Sequence, residues 1–243
     1  MPSRKLSATV PEPYGTLAAG IWQPSSNPMH EKITPSIRQD YDRLAAEYAK
    51  RISDELQHKP LDCKLLDRFA ADVKGRGEIC DMGCGPGHVA RYLRDAGVTV
   101  FGLDLSAGML EQARRLNPDI VFREGNMMAL NFPDETLAGI VSFYSIVNIP
   151  NEFLPTVFRE MARVLQPRGQ LFLAFHMGDG TTHEQELWGH PITMDFFFFQ
   201  PPEIQRRLEA AGLVIEEIIE RPPYPEVEYQ SHRAYMFVRK PVR

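Results

Sequence analysis

From Glu78 to Phe175, short apolar runs alternate with amphipathic segments, and this alternation constrains the fold more than any other feature of the chain. Ile79-Cys80-Asp81, Val98 to Leu103, Ile120 to Arg123, Ala138 to Phe143 and Gln170 to Phe175 read as strands. Between them lie helical patterns: one carries Val89, Leu93 and Ala96, one carries Met109, Ala113 and Leu116 behind a Ser106 cap, and one runs from Phe153 to Leu165. Apolar strands joined through helices form a parallel sheet with helices on both faces. The spacing predicts a doubly wound α/β fold.

The flanks differ from this unit. Residues 1–35 carry Pro2, Pro11, Pro13, Pro24, Pro28 and Pro35 with little apolar periodicity, and read as an irregular arm. Ile37, Tyr41, Leu44 and Tyr48 then share one helical face, and Leu61 to Ala71 forms a second helix, so 36–72 is expected to be a helical cover on a single domain spanning 36–243. At the other end, a helix bearing Ile204, Leu208 and Ala211 stops at Gly212, and the runs Leu213 to Ile219 and Ala234 to Val238 follow without a helix between them, as an antiparallel edge pair would. The stretch 176–200 is too long for an ordinary connector and reads as a lid or acceptor-facing insertion.

Composition excludes several function classes. The chain has 243 residues with a net charge of −5, which gives no general attraction for nucleic acid or anionic membrane. No apolar run approaches a membrane span, and the first residues do not form a signal core, so a cytoplasmic location is expected. Cys63, Cys80 and Cys84 lack metal or disulfide spacing. A small-molecule enzyme or binding module, monomeric or homodimeric, remains.

The chemistry concentrates in Asp81-Met82-Gly83-Cys84-Gly85-Pro86-Gly87-His88. A strand ends in an acid, glycines let the backbone turn tightly against a ligand, and the next helix presents free N–H groups. A dinucleotide loop reads Gly-x-Gly-x-x-Gly, whereas this one reads Gly-x-Gly-x-Gly after Asp81, a carboxylate that suits an ammonium better than a pyrophosphate. Asp104, ending the second strand, is placed to accept hydrogen bonds from a ribose diol. Asn126, after the third strand, is placed to meet an adenine amino group.

Taken in order, Asp81 with Gly83 to Gly87, Asp104-Leu105-Ser106, Phe132-Pro133-Asp134-Glu135 and Arg159 to Gly169 resemble the class I S-adenosylmethionine-dependent methyltransferases, especially their small-molecule branch. The resemblance implies a Rossmann-like, mostly parallel seven-stranded sheet with an antiparallel last strand. It implies S-adenosylmethionine as cofactor, with Gly83, Cys84, Gly85 and Gly87 on its methionine part and Asp104 on its ribose. Leu105 and Met127 would flank the adenine, Met109 and Ser142 would lie nearby, and Tyr41 and Tyr48 would belong to a cofactor-covering helix. Two positions depart from the pattern: Asn126 stands where an aspartate is usual, and the fourth strand opens Leu137-Ala138 instead of Phe-Asp.

Methyl transfer is an in-line displacement that needs alignment and dryness, with a base only where the nucleophile carries a proton. The acceptor is expected over the ends of strands four and five. His176 there is the first candidate for a base, or else a histidine bonded to a loop; Tyr144 is a second, with His190 and Tyr229 as weaker ones. His183 and His190 are two helical turns apart, so no metal is expected. Phe196 to Phe199 either line an aromatic pocket or bury the insertion. The runner-up functions are an RNA or protein methyltransferase, although Ser142 to Ser145 lacks the Asn/Asp-Pro-Pro-Tyr/Phe stretch of amino-methylating nucleic-acid enzymes, and a cofactor-binding module without turnover.

Overall fold

A computed structural model describes residues 30–242. Helix α1 (His30–Ile52) is followed by a 3-10 turn (Glu55–His58) and α2 (Pro60–Val73). The alternating unit then runs β1 (Ile79–Met82), α3 (His88–Asp95), β2 (Val100–Asp104), α4 (Ala107–Leu116), β3 (Val121–Glu124), β4 (Leu137–Phe143), α5 (Leu154–Val164) and β5 (Leu165–His176). After β5 come β6 (Thr181–Leu187), β7 (His190–Phe197), α6 (Pro201–Ala210), β8 (Val214–Arg221) and β9 (Arg233–Arg239).

Seven strands form one sheet in the order β3-β2-β1-β4-β5-β9-β8. β1 to β5 pair in parallel, and β9 runs antiparallel to both β5 and β8. The last strand is therefore antiparallel but does not form the edge; it inserts between β5 and β8. Burial explains the placement, because Ala234 to Val238 are buried on both faces, while β8 exposes Val214, Glu216 and Glu217.

Alternation along the strands splits the core in two. Leu171, Leu173 and Phe175 join α5 and α6 on one face, and Phe172 and Ala174 join α2, α3 and α4 on the other. Ser106 caps α4 as expected, its Oγ accepting the Met109 N–H at 3.1 Å.

Three boundaries differ from the sequence reading. The helix begins at His30, so 30–35 belong to α1 and not to an irregular arm, while 1–29 lie outside the described residues. The stretch 36–72 is not one cover, since α2 buries Leu65, Leu66 and Phe69 in the sheet core. The insertion is regular: β6 and β7 form a separate antiparallel hairpin. Alternation in the hairpin was obscured by Glu184, Gln185 and Glu186, which fall where its pairing shifts register.

Helix α1 and the hairpin form the roof over the sheet. Asp40 accepts the Thr193 N–H of β7 (2.8 Å), and Asp42 accepts from Ser106 Oγ (2.6 Å) and the Gly108 N–H (2.8 Å) at the start of α4. Leu44, Ile192 and Met194 form a small core between them.

Candidate active site

A cavity of about 1160 Å³ opens at the carboxyl ends of β1, β2, β4 and β5, under α1 and the hairpin. Open α/β sheets place ligands at this position, where the strand order reverses. It has two distinct ends.

At one end lies the glycine loop. Gly85 lines the cavity with φ +51°, and a Cβ there would meet only Tyr48, at 3.8 Å. Gly83 and Gly87 are required by the protein itself: a Cβ at Gly83 would stand 2.3 Å from the Cβ of Ser145, and one at Gly87 would stand 2.7 Å from the Phe122 ring. Gly83 and Gly85 both line the cavity, and Gly85 is the one of the two whose Cβ would not collide with the protein.

Asp104 lines the cavity with a carboxylate already anchored at both oxygens. Oδ2 accepts the Gly85 N–H (2.8 Å) and Oδ1 accepts the Ser106 N–H (2.9 Å). Burial raises its pKa above the usual carboxylate value, and these N–H groups pull it back only in part. Asp81 sits behind the loop. It is almost fully buried, accepts the Ala90 N–H of α3 at 2.9 Å and does not line the cavity, so it holds the loop to the helix instead of facing a ligand ammonium. Burial pushes its pKa up to about 7.

Asn126 lines the cavity, but its Oδ1 is taken by the Met128 N–H (2.9 Å). Its Nδ2 is buried with no hydrogen-bond partner among the described residues. The oxygen expected for an adenine amino group is therefore occupied, and a donor is left in its place. Leu105, Met109, Met127, Cys84, Tyr41 and Tyr48 also line the cavity, with the Tyr41 hydroxyl donating to Asn148 Oδ1 (2.6 Å). Gly87 and Ser142 do not; Ser142 Oγ is bonded to Ser145 Oγ at 2.7 Å.

Sequence reasoning missed a charged cluster beside this loop. His88 Nε2 is 2.9 Å from Glu55 Oε1, and His88 Nδ1 is buried without a partner. Burial alone would raise Glu55, but its bond to His88, with Lys59 nearby, holds it down to about 2. Lys59 also lies 3.4 Å from Glu228, which pairs with Arg221 and Arg233. One signal was available in the sequence: Arg233 directly precedes the apolar run Ala234 to Val238, and it is 1% exposed.

The other end is aromatic. His176 lies 5.1 Å from the Tyr144 ring, 6.2 Å from Phe198 and 6.0 Å from Tyr229, centroid to centroid. Burial, with Arg233 and Lys59 adding to it, lowers the His176 pKa to about 3. The Tyr144 hydroxyl is bonded to Tyr235 (2.9 Å) and Asp62 (3.2 Å), and burial with these neighbours raises its pKa. Tyr229 reaches the cavity, but His190 does not line it. The phenylalanine run serves both expectations by alternation: Phe196 and Phe198 line the cavity, and Phe197 and Phe199 pack into the core.

Among the described residues, no group of three or more His, Cys, Asp or Glu is arranged to hold a metal, and no helix is long and apolar enough to cross a membrane.

Fold and loop together define an open, doubly wound α/β domain with its cavity at the carboxyl ends of the strands. Residues 79–169 match a family described as methyltransferase domain. It is 28% identical to the malonyl-[acyl-carrier protein] O-methyltransferase of Enterobacter lignolyticus (strain SCF1), over 61% of this chain and 59% of that one. It is 35% identical to the demethylmenaquinone methyltransferase of Paenarthrobacter aurescens (strain TC1), over 43% and 41%. The chain spans about half the length of the curated relatives it matches. Among solved structures, a DhpI–SAH complex matches with a TM-score of 0.68 at 20% identity, covering 88% of this chain and 99% of that one, which shows a shared fold.

Proposed function

We propose that this chain binds S-adenosylmethionine at the glycine-loop end of the cavity and transfers its methyl group to a small molecule at the aromatic end. One observation carries the reading. Three cavity-lining residues carry a buried polar atom without a partner among the described residues, His88 Nδ1 after β1, Asn126 Nδ2 after β3 and Arg233 Nε at the start of β9, and Asp104 ends the strand between the first two. Buried polar groups are rarely left unpaired, so such atoms fit a ligand that supplies the partner.

The residues present suit this cofactor. Asp104 retains lone pairs beyond those given to Gly85 and Ser106, and would hold the ribose hydroxyls. Leu105, Met109 and Met127 offer apolar sides to the adenine, and Asn126 offers a donor from Nδ2 to a ring nitrogen. Gly85, Tyr48, Glu55 and His88 would surround the amino-acid tail.

When bound, S-adenosylmethionine supplies an electrophilic methyl on a sulfonium whose leaving group is neutral. The chain's work is then alignment and exclusion of water. Tyr41 and Tyr48 from α1, with Trp188 and Phe196 from the hairpin, cover the cavity, and Tyr48 and Trp188 pack ring to ring at 5.6 Å. The relatives named for malonyl-[acyl-carrier protein] and demethylmenaquinone support a non-nucleic-acid acceptor.

Calorimetry with S-adenosylhomocysteine, followed by a homocysteine-release assay over a panel of small acceptors, tests the proposal. Binding with turnover on at least one acceptor is expected. Binding without turnover on any acceptor favours a sensor, and absence of binding overturns the reading.

A further inference from the structure

The hydrogen-bond chain behind His176 determines which atom that ring presents to the cavity. Arg233 Nη1 donates to Ser231 Oγ at 2.6 Å, and Ser231 Oγ lies 2.9 Å from His176 Nδ1. A guanidinium has only donors, so the serine oxygen accepts from Arg233. Its single hydrogen then has one partner among its observed contacts, the His176 Nδ1 lone pair. With Nδ1 accepting, the proton of the neutral imidazole sits on Nε2. No hydrogen-bond partner for Nε2 is found among the described residues, and the ring lines the cavity.

The surroundings fix the rest. Tyr144, Phe198 and Tyr229 wall the ring, and the hydroxyl of Tyr144 is engaged behind the wall by Tyr235 and Asp62. Tyr144 itself holds a left-handed backbone (φ 54°), a conformation that surrounding contacts must maintain. Four charged side chains act on His176: Arg233 and Lys59, against Glu228 and Glu55. They are paired with one another, Lys59 with both glutamates and Arg233 with Glu228. Each cation in this set therefore has its charge matched by a carboxylate, although Arg233 Nε is buried without a hydrogen-bond partner among the described residues.

We infer that His176 is a hydrogen-bond donor to the methyl acceptor through Nε2–H, and that the acceptor is an uncharged, flat ring compound bearing a hydrogen-bond-accepting oxygen. The inference rests on the methyltransferase reading for the word acceptor. His176 then orients the ring oxygen and takes no proton from it. Burial and the two cations agree with this role, since they keep the imidazole neutral over the ordinary pH range.

The test uses the full chain loaded with S-adenosylhomocysteine and three probes: 1-indanone, its oxygen-free counterpart indane, and indane-1-carboxylate. In NMR titrations the wild type should bind 1-indanone about tenfold more tightly than indane, the size of one net hydrogen bond. His176→Gln, which keeps an N–H near that position, should retain most of the preference, and His176→Leu should reduce it to about twofold or less. Nitrogen-15 spectra of the His176 ring should place the proton on Nε2. A preference that survives in His176→Leu, tightest binding of the carboxylate, no binding of 1-indanone to the wild type, or a proton on Nδ1 would each overturn the inference. Failure of S-adenosylhomocysteine to bind the wild type would instead break the reading beneath it.

Discussion

The two ends of the cavity are built in different ways. The glycine-loop end comes from the ends of strands and the segments that follow them: 83–88 after β1, Asp104 at the end of β2 with 105–106 beyond it, and 125–128 after β3, with backbone N–H groups anchoring the key carboxylate. The aromatic end takes Tyr144 and His176 from the ends of β4 and β5, but is completed by Lys59, Phe198 and the 225–233 segment, which lie outside the parallel strands. The part of a site made by strand ends is fixed once the sheet forms, whereas the part added by distant segments depends on packing and can change its ligand without disturbing the sheet.

This contrast can be broken by substitutions that act on one end only. The largest effect is expected from Gly85→Val, which places a branched side chain at φ +51° on the cavity wall: affinity for S-adenosylhomocysteine should fall by more than about hundredfold while the far-ultraviolet circular dichroism is kept. Normal binding would show that the loop does not approach the cofactor. Asp104→Ala comes next and should weaken the same binding by about 1–3 kcal/mol, because it leaves hydrogen-bonding groups without partners. An unchanged calorimetric Kd would remove Asp104 from the site.

Phe198→Ala should act at the other end. Loss of its ring contacts with His176 and Tyr229 is expected to raise the acceptor KM by about two- to tenfold, while the cofactor Kd changes by less than about twofold. An equal rise in both constants would mean that the ends are not separable. The smallest effect concerns Asp81. Its folded pKa, about 7, lies above the unfolded value, so the folded state holds the proton more tightly; this stabilisation is complete at low pH and is lost as pH rises towards 7. Asp81→Asn removes the titration and should flatten the decline in Tm between about pH 4 and 7. A slope identical to the wild type would contradict burial as the cause.

The same contrast explains what was legible in the sequence. Strand positions, the Ser106 cap and the loop from Gly83 to Gly87 were readable because local periodicity and glycine spacing determine them. The edge order of β8 and β9 was not, since both runs are apolar and only burial against β5 separates them. At the site, Gly85, Asp104 and Asn126 were found by position after a strand, yet the sequence could not show that a Met128 N–H occupies the Asn126 oxygen. Glu55, Lys59 and Glu228 escaped notice because isolated charges in polar segments look like solvated surface, and only the fold brings them together. Trp188, at the tip of the hairpin, reaches Tyr48 through a turn that no helical or strand period indicates.

The central claim is that one cavity holds S-adenosylmethionine at its glycine-loop end and a small acceptor at its aromatic end. Calorimetric titration of S-adenosylhomocysteine into wild type, Gly85→Val and Phe198→Ala tests it most directly. One-to-one binding to the wild type, preserved in Phe198→Ala and lost in Gly85→Val, is the predicted result. Absence of binding to the wild type, or equal loss in both variants, would contradict it.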